Sequence, residues 1–560
     1  MKQHYIMPVG VDDFKKVREE YYYVDKTDFI KSLIDGHSQV TLITRPRRFG
    51  KTLALSMLYY FFTLNDAKSN RSLFDGTKIE LAGREYMEHQ GSKPVIFLTF
   101  KDIKQKDFPS MIRSFSSAMQ AVYRKYIYLY NSNLLDKYEK EYFDSVMSRD
   151  IDPVDLQLSL QMLSGWLHRY HGHPALILID EYDAPIQTSR DYGYYDEAII
   201  FMRNYLSSAL KSNPHLDFAV ITGVLRIAKE SIFSALNNFK VSSVAGGGLE
   251  SIVGFDDEEL QKIASDFEHP EKIAEIKAWY DGYNFSGHEI YNPWSVISYF
   301  ENSCQPAPYW VNTSENSILH HLLRHATSKQ AKELFTLLSG GKINARLYEN
   351  FVYNEIQTNS KTLHSVLLTT GYLTMADYPD PSEDDSFCTM RIPNREIRTL
   401  FKREVISYLE DIGSSIEMLT GFAGHLLAGQ ASAFAEDLET FMKLMASYYD
   451  TTNRESFYHG LVLGLLAILI PRYEVVSNRE SGYGRFDVAI FPRKGQEAGV
   501  VMEFKVAENE NALPTKAAEA LAQIEIRDYL AEFRQQNITD IWQYGIAFCG
   551  KKCHIVAKTC

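Results

Sequence analysis

Four short, almost unbroken apolar runs set the strongest constraint on the first half of this chain: SQVTLIT (38–44), PVIFLTF (94–100), ALILID (175–180) and DFAVITG (217–223). Helix-spaced segments separate them, beginning with KTLALSMLYYFF (51–62). A strand that is apolar on both faces needs cover on both faces. Such strands alternating with helices predict a parallel sheet in an α/β structure. From about residue 251 the pattern turns mostly helical, through DDEELQKIASDF, EKIAEIKAWYDGY and further stretches between 317 and 449. DYPDPSEDDS (377–386) reads as an exposed loop. From about 451 mixed α/β returns: a helix in RESFYHGLVLGLLAIL, strands in GRFDVAIF and GVVMEFKV, a helix in TKAAEALAQIEIRDYL, and closing strands in DIWQYGIAF and HIVAK. At ~150 residues per domain, a chain of 560 residues divides into several. The expected boundaries are 1–250, a helical lid at 251–330, a mostly helical middle at 331–450, and 451–560.

Composition narrows the function classes. With 45% hydrophobic and 23% charged residues, the chain is neither disordered nor collagen-like nor a small disulfide scaffold. A net charge of −13 excludes a uniformly basic coat, though not a local basic patch. Five cysteines, an odd and sparse set, argue against a disulfide framework and fit a reducing compartment. Cys549, Cys553 and His554 are better explained by two short strands than by zinc. The start lacks a signal-peptide core. The longest apolar run, LVLGLLAILI (461–470), is half a membrane span and reads as a buried helix. The expectation is a cytoplasmic protein without a membrane partner.

Arg45-Pro46-Arg47-Arg48-Phe49-Gly50-Lys51-Thr52 lies between the first apolar run and the first helix. Phosphate loops follow Gly-x-x-x-x-Gly-Lys-Ser/Thr in that setting. Backbone N–H groups cradle phosphate, the lysine reaches its outer oxygens, and the hydroxyl meets Mg²⁺. The helix N-terminus adds its own attraction for the anion. Here the second half is intact and Arg45 stands at the first glycine. Arg48, Phe49, Gly50, Lys51 and Thr52 are the candidate nucleotide contacts. Downstream, ALILID ends in Asp180 and Glu181. The first suits Mg²⁺ support, and the second suits polarisation of an attacking water. At the end of DFAVITG, Thr222 is placed to sense a γ-phosphate. Arg226 is placed to add positive charge, in cis or to a neighbouring subunit.

A second chemical constellation falls near the C-terminus. Asp487 in GRFDVAIF precedes Glu503 and Lys505 in VVMEFKV, and strand alternation puts Glu503 and Lys505 on one face. Two carboxylates suit a hard cation such as Mg²⁺. A lysine beside them orients water or stabilises a pentavalent phosphate. Gln523, on the following helix, is a candidate polar contributor. Glu455 is a candidate metal or water contact. His459, four residues on and on the same helical face, reads rather as a packed or capping histidine. Glu480 and Arg485 border Asp487, either as substrate contacts or as parts of a glycine turn.

Together these stretches resemble a bacterial family with an N-terminal AAA-ATPase-like domain and a C-terminal PD-(D/E)xK nuclease-superfamily domain. The resemblance rests on IMPVGVDDF, YYYVDKTDFI, LITRPRRFGKTLALSML, ALILIDEYDAPI, VITGVLRIAKESIFSALNN, AWYDGYNF, IYNPWSV, YWVNTSEN, ESFYHGLVLGLL, NRESGYGRFDVAIF and VVMEFKV. It implies an N-terminal P-loop domain of the AAA/ASCE type and a C-terminal restriction-endonuclease-like α/β domain. It also implies that the Arg-Pro-Arg-Arg-Phe-Gly-Lys-Thr loop is a family variant, and that YVDKT (Tyr23–Thr27) belongs to the ATPase domain near the adenine. The bland reading of YVDKT is a helix-capping turn.

The leading expectation is an ATP-regulated, Mg²⁺-dependent nuclease. DNA is favoured over RNA as partner, in defence or mobile-element handling by association. The alternative is a nucleotide-switched nucleic-acid- or protein-binding protein with a silent nuclease fold. A third reading makes the middle helices a partner or homo-oligomer interface of a signal-sensing ATPase. Fold and activity are separable.

Overall fold

The computed structural model describes residues 5–227, 239–310, 333–334, 336–338, 340–348, 362–377, 387–411, 416–445, 455–469, 472–477, 479–493 and 497–560. The chain gathers into two compact units. One comprises 1–314 with 344–396, and the other 315–343 with 397–560. The boundaries drawn above at 250, 330 and 450 are finer than this grouping.

The first unit is built on a five-stranded sheet. Its strands are β1 (Val40–Thr44), β2 (Val95–Thr99), β3 (Ala175–Asp180), β4 (Leu216–Gly223) and β5 (Phe239–Ser242), in the order β2-β3-β4-β1-β5. Every pair is parallel. β1 and β3 are buried along their whole length, as expected for strands covered on both faces. β1 and β3 flank β4, so the loop after β1, the end of β3 and the end of β4 converge at one edge. Ligands of open α/β sheets bind at such an edge, beyond the carboxyl ends of the strands. The four apolar runs are four of these strands. The fifth, FKVS, is short and only half-buried, so it left no apolar run to read.

A second core in this unit joins the N-terminal segment to later helices. Met7 and Tyr22 pack with Leu260, Ile276, Tyr291 and Tyr299, from the helices Asp257–Asp266, Ile273–Tyr280 and Pro293–Glu301 and their connections. The mostly helical region also holds strands: the hairpin β6 (Tyr283–Phe285) and β7 (His288–Ile290), and a sheet of β8 (Ile343–Arg346), β9 (Thr374–Asp377) and β10 (Phe387–Arg391) in the order β8-β10-β9. Strands of three to five residues are too short to show a period. Most of the loop expected at 377–386 lies outside the described residues, as does the helical stretch expected at 317–326.

The second unit holds a mixed sheet of β11 (Tyr473–Ser477), β14 (Val488–Pro492), β15 (Gly499–Val506), β16 (Ile541–Cys549) and β17 (Lys552–Thr559), in that order. Only β15 and β16 run parallel. A parallel step needs a crossover, which the helix Leu513–Ile526 supplies. That helix lies against β16 at Gly545, where an added Cβ would stand 2.2 Å from the Ala517 carbonyl oxygen. Cys549 and Cys553 sit at the facing ends of the β16–β17 hairpin, the two-strand reading of that segment. The described part of that run, 461–469, continues the helix Glu455–Leu465 into a 3₁₀ turn, Leu466–Leu469. Among the described residues no helix is long and apolar enough to cross a membrane.

One sequence placement is corrected. Asp487 lies just before β14, not within a strand. The residues before it form a separate small hairpin, β12 (Glu480–Ser481) and β13 (Gly484–Arg485), which delays the start of β14.

Candidate functional site

The loop after β1 is held from several sides. Arg45 is fully buried. It donates to the Thr44 and Ser242 carbonyls (both 2.9 Å), to Ser242 Oγ (2.9 Å) and to the Leu249 carbonyl (2.8 Å). Burial lowers its pKa to about 10. The residue at the missing glycine thus ties the loop to the edge strand β5, a role no motif pattern shows. Phe49 is buried edge-on against Tyr283, with ring centroids 5.1 Å apart. Arg48 adopts a left-handed backbone (φ 68°) and lays its guanidinium 4.2 Å from the Trp294 ring centre, a cation–π contact. Gly50, at φ 89°, takes the left-handed turn into the helix Lys51–Phe62 without Cβ strain.

Lys51 Nζ donates to the Arg45 and Pro46 carbonyls at 3.0 and 2.9 Å. Burial pulls its pKa down, while the charges of Asp180, Glu181 and Asp183 oppose that shift. Thr52 donates to Asp180 Oδ2 (2.7 Å) and Thr222 to Asp180 Oδ1 (2.5 Å). The sheet order has brought these three residues together. Glu181, next in the chain, sits in a left-handed conformation (φ 51°). Burial and the adjacent Asp180 charge raise its pKa. Asp183 is buried and accepts from the Val224 and Leu225 amides at 3.0 and 2.9 Å, fixing the segment after β4. Arg226 lies in that segment, where its charge acts on Tyr182, and it does not line the neighbouring cleft.

That cleft has a volume of about 510 Å³, within the ~300–1,000 Å³ of small-molecule sites. Arg48, Phe49, Gly50, Lys51, Thr52 and Glu181 line one end. Met7, Tyr23, Val24, Val253, Phe255 and Ile297 line an apolar part. Cationic side chains of the loop and apolar residues lining the same cleft suit a nucleotide. The paired oxygens of Thr52 and Asp180 suit a hard divalent cation.

In the second unit, Gln523 is the organising residue. Its Oε1 accepts from Lys505 Nζ at 2.9 Å. Its Nε2 donates to Glu503 Oε1 and, at 3.2 Å, to Tyr529 Oη. One side chain therefore holds Glu503 and Lys505 on the same face of β15, as alternation predicts. Glu503 is buried, with 5% exposure. Asp487 Oδ2 accepts from the Phe504 amide at 2.7 Å, which fixes its carboxylate beside the acidic strand end. Tyr529 was not readable from the sequence. Burial raises its hydroxyl pKa, the Gln523 hydrogen bond opposes this, and the Glu503 and Asp487 charges add to the rise.

His459 is buried, and its Nε2 pairs with the Asp487 carbonyl at 3.0 Å. A carbonyl only accepts, so that nitrogen carries the proton. The ring also packs edge-on against Phe504. This is the packed-histidine reading, acting on the backbone of Asp487. Glu455 opens the helix Glu455–Leu465, but its side chain lies outside the described residues, as does that of Glu480. Arg485 is exposed on the small hairpin, whose Gly482 packs 2.3 Å (as a notional Cβ) from the Asp528 carbonyl oxygen. Among the described residues no three acidic, histidine or cysteine groups gather into a ready metal cage. Asp487 and Glu503 supply two oxygen-bearing groups, which suits a cation that keeps several waters, as Mg²⁺ does.

Comparison with known proteins places both regions. Residues 8–233 match the family model of a predicted AAA-ATPase, and residues 453–558 match that of the PD-(D/E)XK nuclease superfamily. A protein of Azotobacter chroococcum mcd 1, described as an uncharacterized protein in the vnfD 5′ region, is 26% identical over 541 residues. The match covers 95% of this chain and 94% of that one. The chain therefore carries an AAA-ATPase-like region near its N-terminus and a C-terminal region of the PD-(D/E)XK nuclease superfamily.

Proposed function

We propose that the protein binds ATP in the N-terminal cleft and cleaves phosphodiester bonds of nucleic acid, DNA in preference to RNA, at the Asp487–Glu503–Lys505 group, with ATP binding governing the cut. The observation that carries this reading is the Gln523 bridge. It holds a carboxylate and an ammonium together on β15, with the Asp487 carboxylate tied to the next residue of the same strand. In this reading Asp487 and Glu503 present oxygens to Mg²⁺, which lowers the pKa of bound water and polarises the phosphate. Lys505 orients the water or stabilises charge on the phosphate, and Gln523 keeps Glu503 and Lys505 at a fixed spacing. In the N-terminal cleft Lys51 binds the outer phosphates, Thr52 and Asp180 support Mg²⁺, Thr222 senses the γ-phosphate, and Glu181 positions water. Defence against foreign DNA or mobile-element handling is the biological setting that fits such an activity.

The test is a cleavage assay on plasmid and single-stranded DNA with Mg²⁺, with and without ATP. Lys505→Ala and Glu503→Ala are expected to lose cutting by a factor of about 10²–10³ while binding ATP like wild type. Undiminished cutting by either variant would remove the site assignment. The alternative, a nucleotide-switched binding protein with a silent nuclease fold, draws on the engagement of Asp487 Oδ2 by the Phe504 amide. Binding of nucleic acid and Mg²⁺ without cleavage of DNA or RNA would favour it.

A further inference from the structure

We propose that Trp310 and Glu396 form a relay reporting the state of the phosphate loop to the points where the chain leaves the N-terminal unit, an inference that rests on the nucleotide reading above. Three consecutive loop carbonyls are held by side chains. Arg45 and Pro46 accept from Lys51 Nζ, and Arg47 accepts from the Trp310 indole N–H at 3.1 Å. A phosphate entering the cleft competes for the Lys51 ammonium, whose charge pairs better with an anion than with neutral carbonyls. Turning Lys51 to phosphate frees the Arg45 and Pro46 carbonyls, and the next peptide along is the one that Trp310 grips.

Trp310 cannot follow the loop by itself. It is buried and packs edge-on against Tyr372, with ring centroids 5.3 Å apart. Its backbone N–H donates to Glu396 Oε1 at 2.7 Å, and Ser295 Oγ donates to Glu396 Oε2 at 2.7 Å. Glu396 is fully buried. A carboxylate there is costly to bury, so its presence calls for a role beyond filling space. The chain passes out of the N-terminal unit after Ser314 and again after Glu396. Trp310 stands just before the first of these exits and Glu396 at the second. One hydrogen-bonded path thus runs from the phosphate loop through Trp310 to Glu396. Trp310 and Glu396 are positioning residues, acting through the loop and not on the nucleotide.

The test is hydrogen–deuterium exchange on the full chain, with and without a non-hydrolysable ATP analogue and Mg²⁺, alongside calorimetric binding of the same analogue. In wild type the analogue is expected to bind and to change exchange by about tenfold in peptides ending at Trp310 and spanning 392–400. In Trp310→Phe, which keeps an aromatic ring but no indole donor, the analogue still binds and the 392–400 response is lost. Glu396→Leu, which has no acceptor for the Trp310 backbone N–H, is the parallel variant: the analogue still binds, the response at Trp310 is kept and that of 392–400 is lost. A purely structural role would lower the unfolding midpoint but leave both responses in place. Binding by wild type with neither peptide responding, or responses unchanged in the variants, overturns the relay. Failure of wild type to bind any nucleotide overturns the nucleotide reading and the relay with it.

Discussion

At the scale of single residues, the largest departure from a motif pattern is the one the structure explains best. Arg45 occupies the place of a glycine and makes four buried hydrogen bonds, three of them across to the edge strand and the segment after it. Arg45→Gly, which restores the common loop pattern, is expected to destabilise the N-terminal unit by about 2–4 kcal/mol and to weaken nucleotide binding, because buried acceptors lose their donor. A rise in urea midpoint on that substitution would contradict the role. Lys51, Thr52 and Asp180 were legible because their chemistry is local in sequence. Arg45 and Trp310 were not, because their partners lie about 200 or more residues away in the chain. Glu396 gives a pH signature. Burial pushes its pKa up to about 7 from 4.5, against the hydrogen bonds from Trp310 and Ser295, and the Tyr280, Tyr283 and Tyr309 hydroxyls feel its charge. The folded state therefore keeps a proton that the unfolded chain has already lost. Stability falls as pH rises through the window from about 4.5 to 7, then levels. Urea unfolding of wild type and Glu396→Gln should show the wild type losing about 2 kcal/mol relative to the variant between about pH 5 and pH 8.

At the scale of elements, the long apolar strands and the helices after them could be read from periodicity, and their register followed from burial. The short pieces could not. β5, the β6–β7 hairpin and the β8-β10-β9 sheet have too few residues for a period, and they are fixed by what packs on them. The placement of Asp487 shows the same limit, since a two-residue hairpin strand upstream displaced the start of β14. The C-terminal site depends on a close approach of elements at Gly545. This residue pairs with Glu503 across the parallel strands and lies under the helix that carries Gln523. Gly545→Ala would put a methyl group against the Ala517 carbonyl and the Leu521 amide, 2.2 and 2.4 Å away. The helix must shift outward, taking the Gln523 amide from Lys505 and Glu503. The expected cost is about 1–3 kcal/mol in stability, with a drop of roughly 10–100-fold in cleavage, as when the groups that orient a metal site are disturbed. Cleavage by purified folded Gly545→Ala at the wild-type rate would show that the Gln523 bridge is dispensable.

At the scale of the whole molecule, composition set the broad class, and the order of apolar strands anticipated a parallel sheet at the N-terminal end. The threading of the chain was not legible. Nothing local in the sequence says that 344–396 belongs with 1–314, because that membership is decided by long-range packing such as Glu396 against Trp310. The threading has a consequence for biosynthesis. A ribosome that has released Ser314 must add some eighty further residues before Glu396 emerges, a delay of several seconds or more at ~5–20 residues per second. During that interval the parallel sheet and its phosphate loop are complete in sequence, while Trp310 still lacks the carboxylate that anchors its backbone. The loop's outermost support is thus finished last, and a messenger truncated anywhere between those two codons would yield a sheet and loop whose Trp310 backbone lacks its Glu396 acceptor.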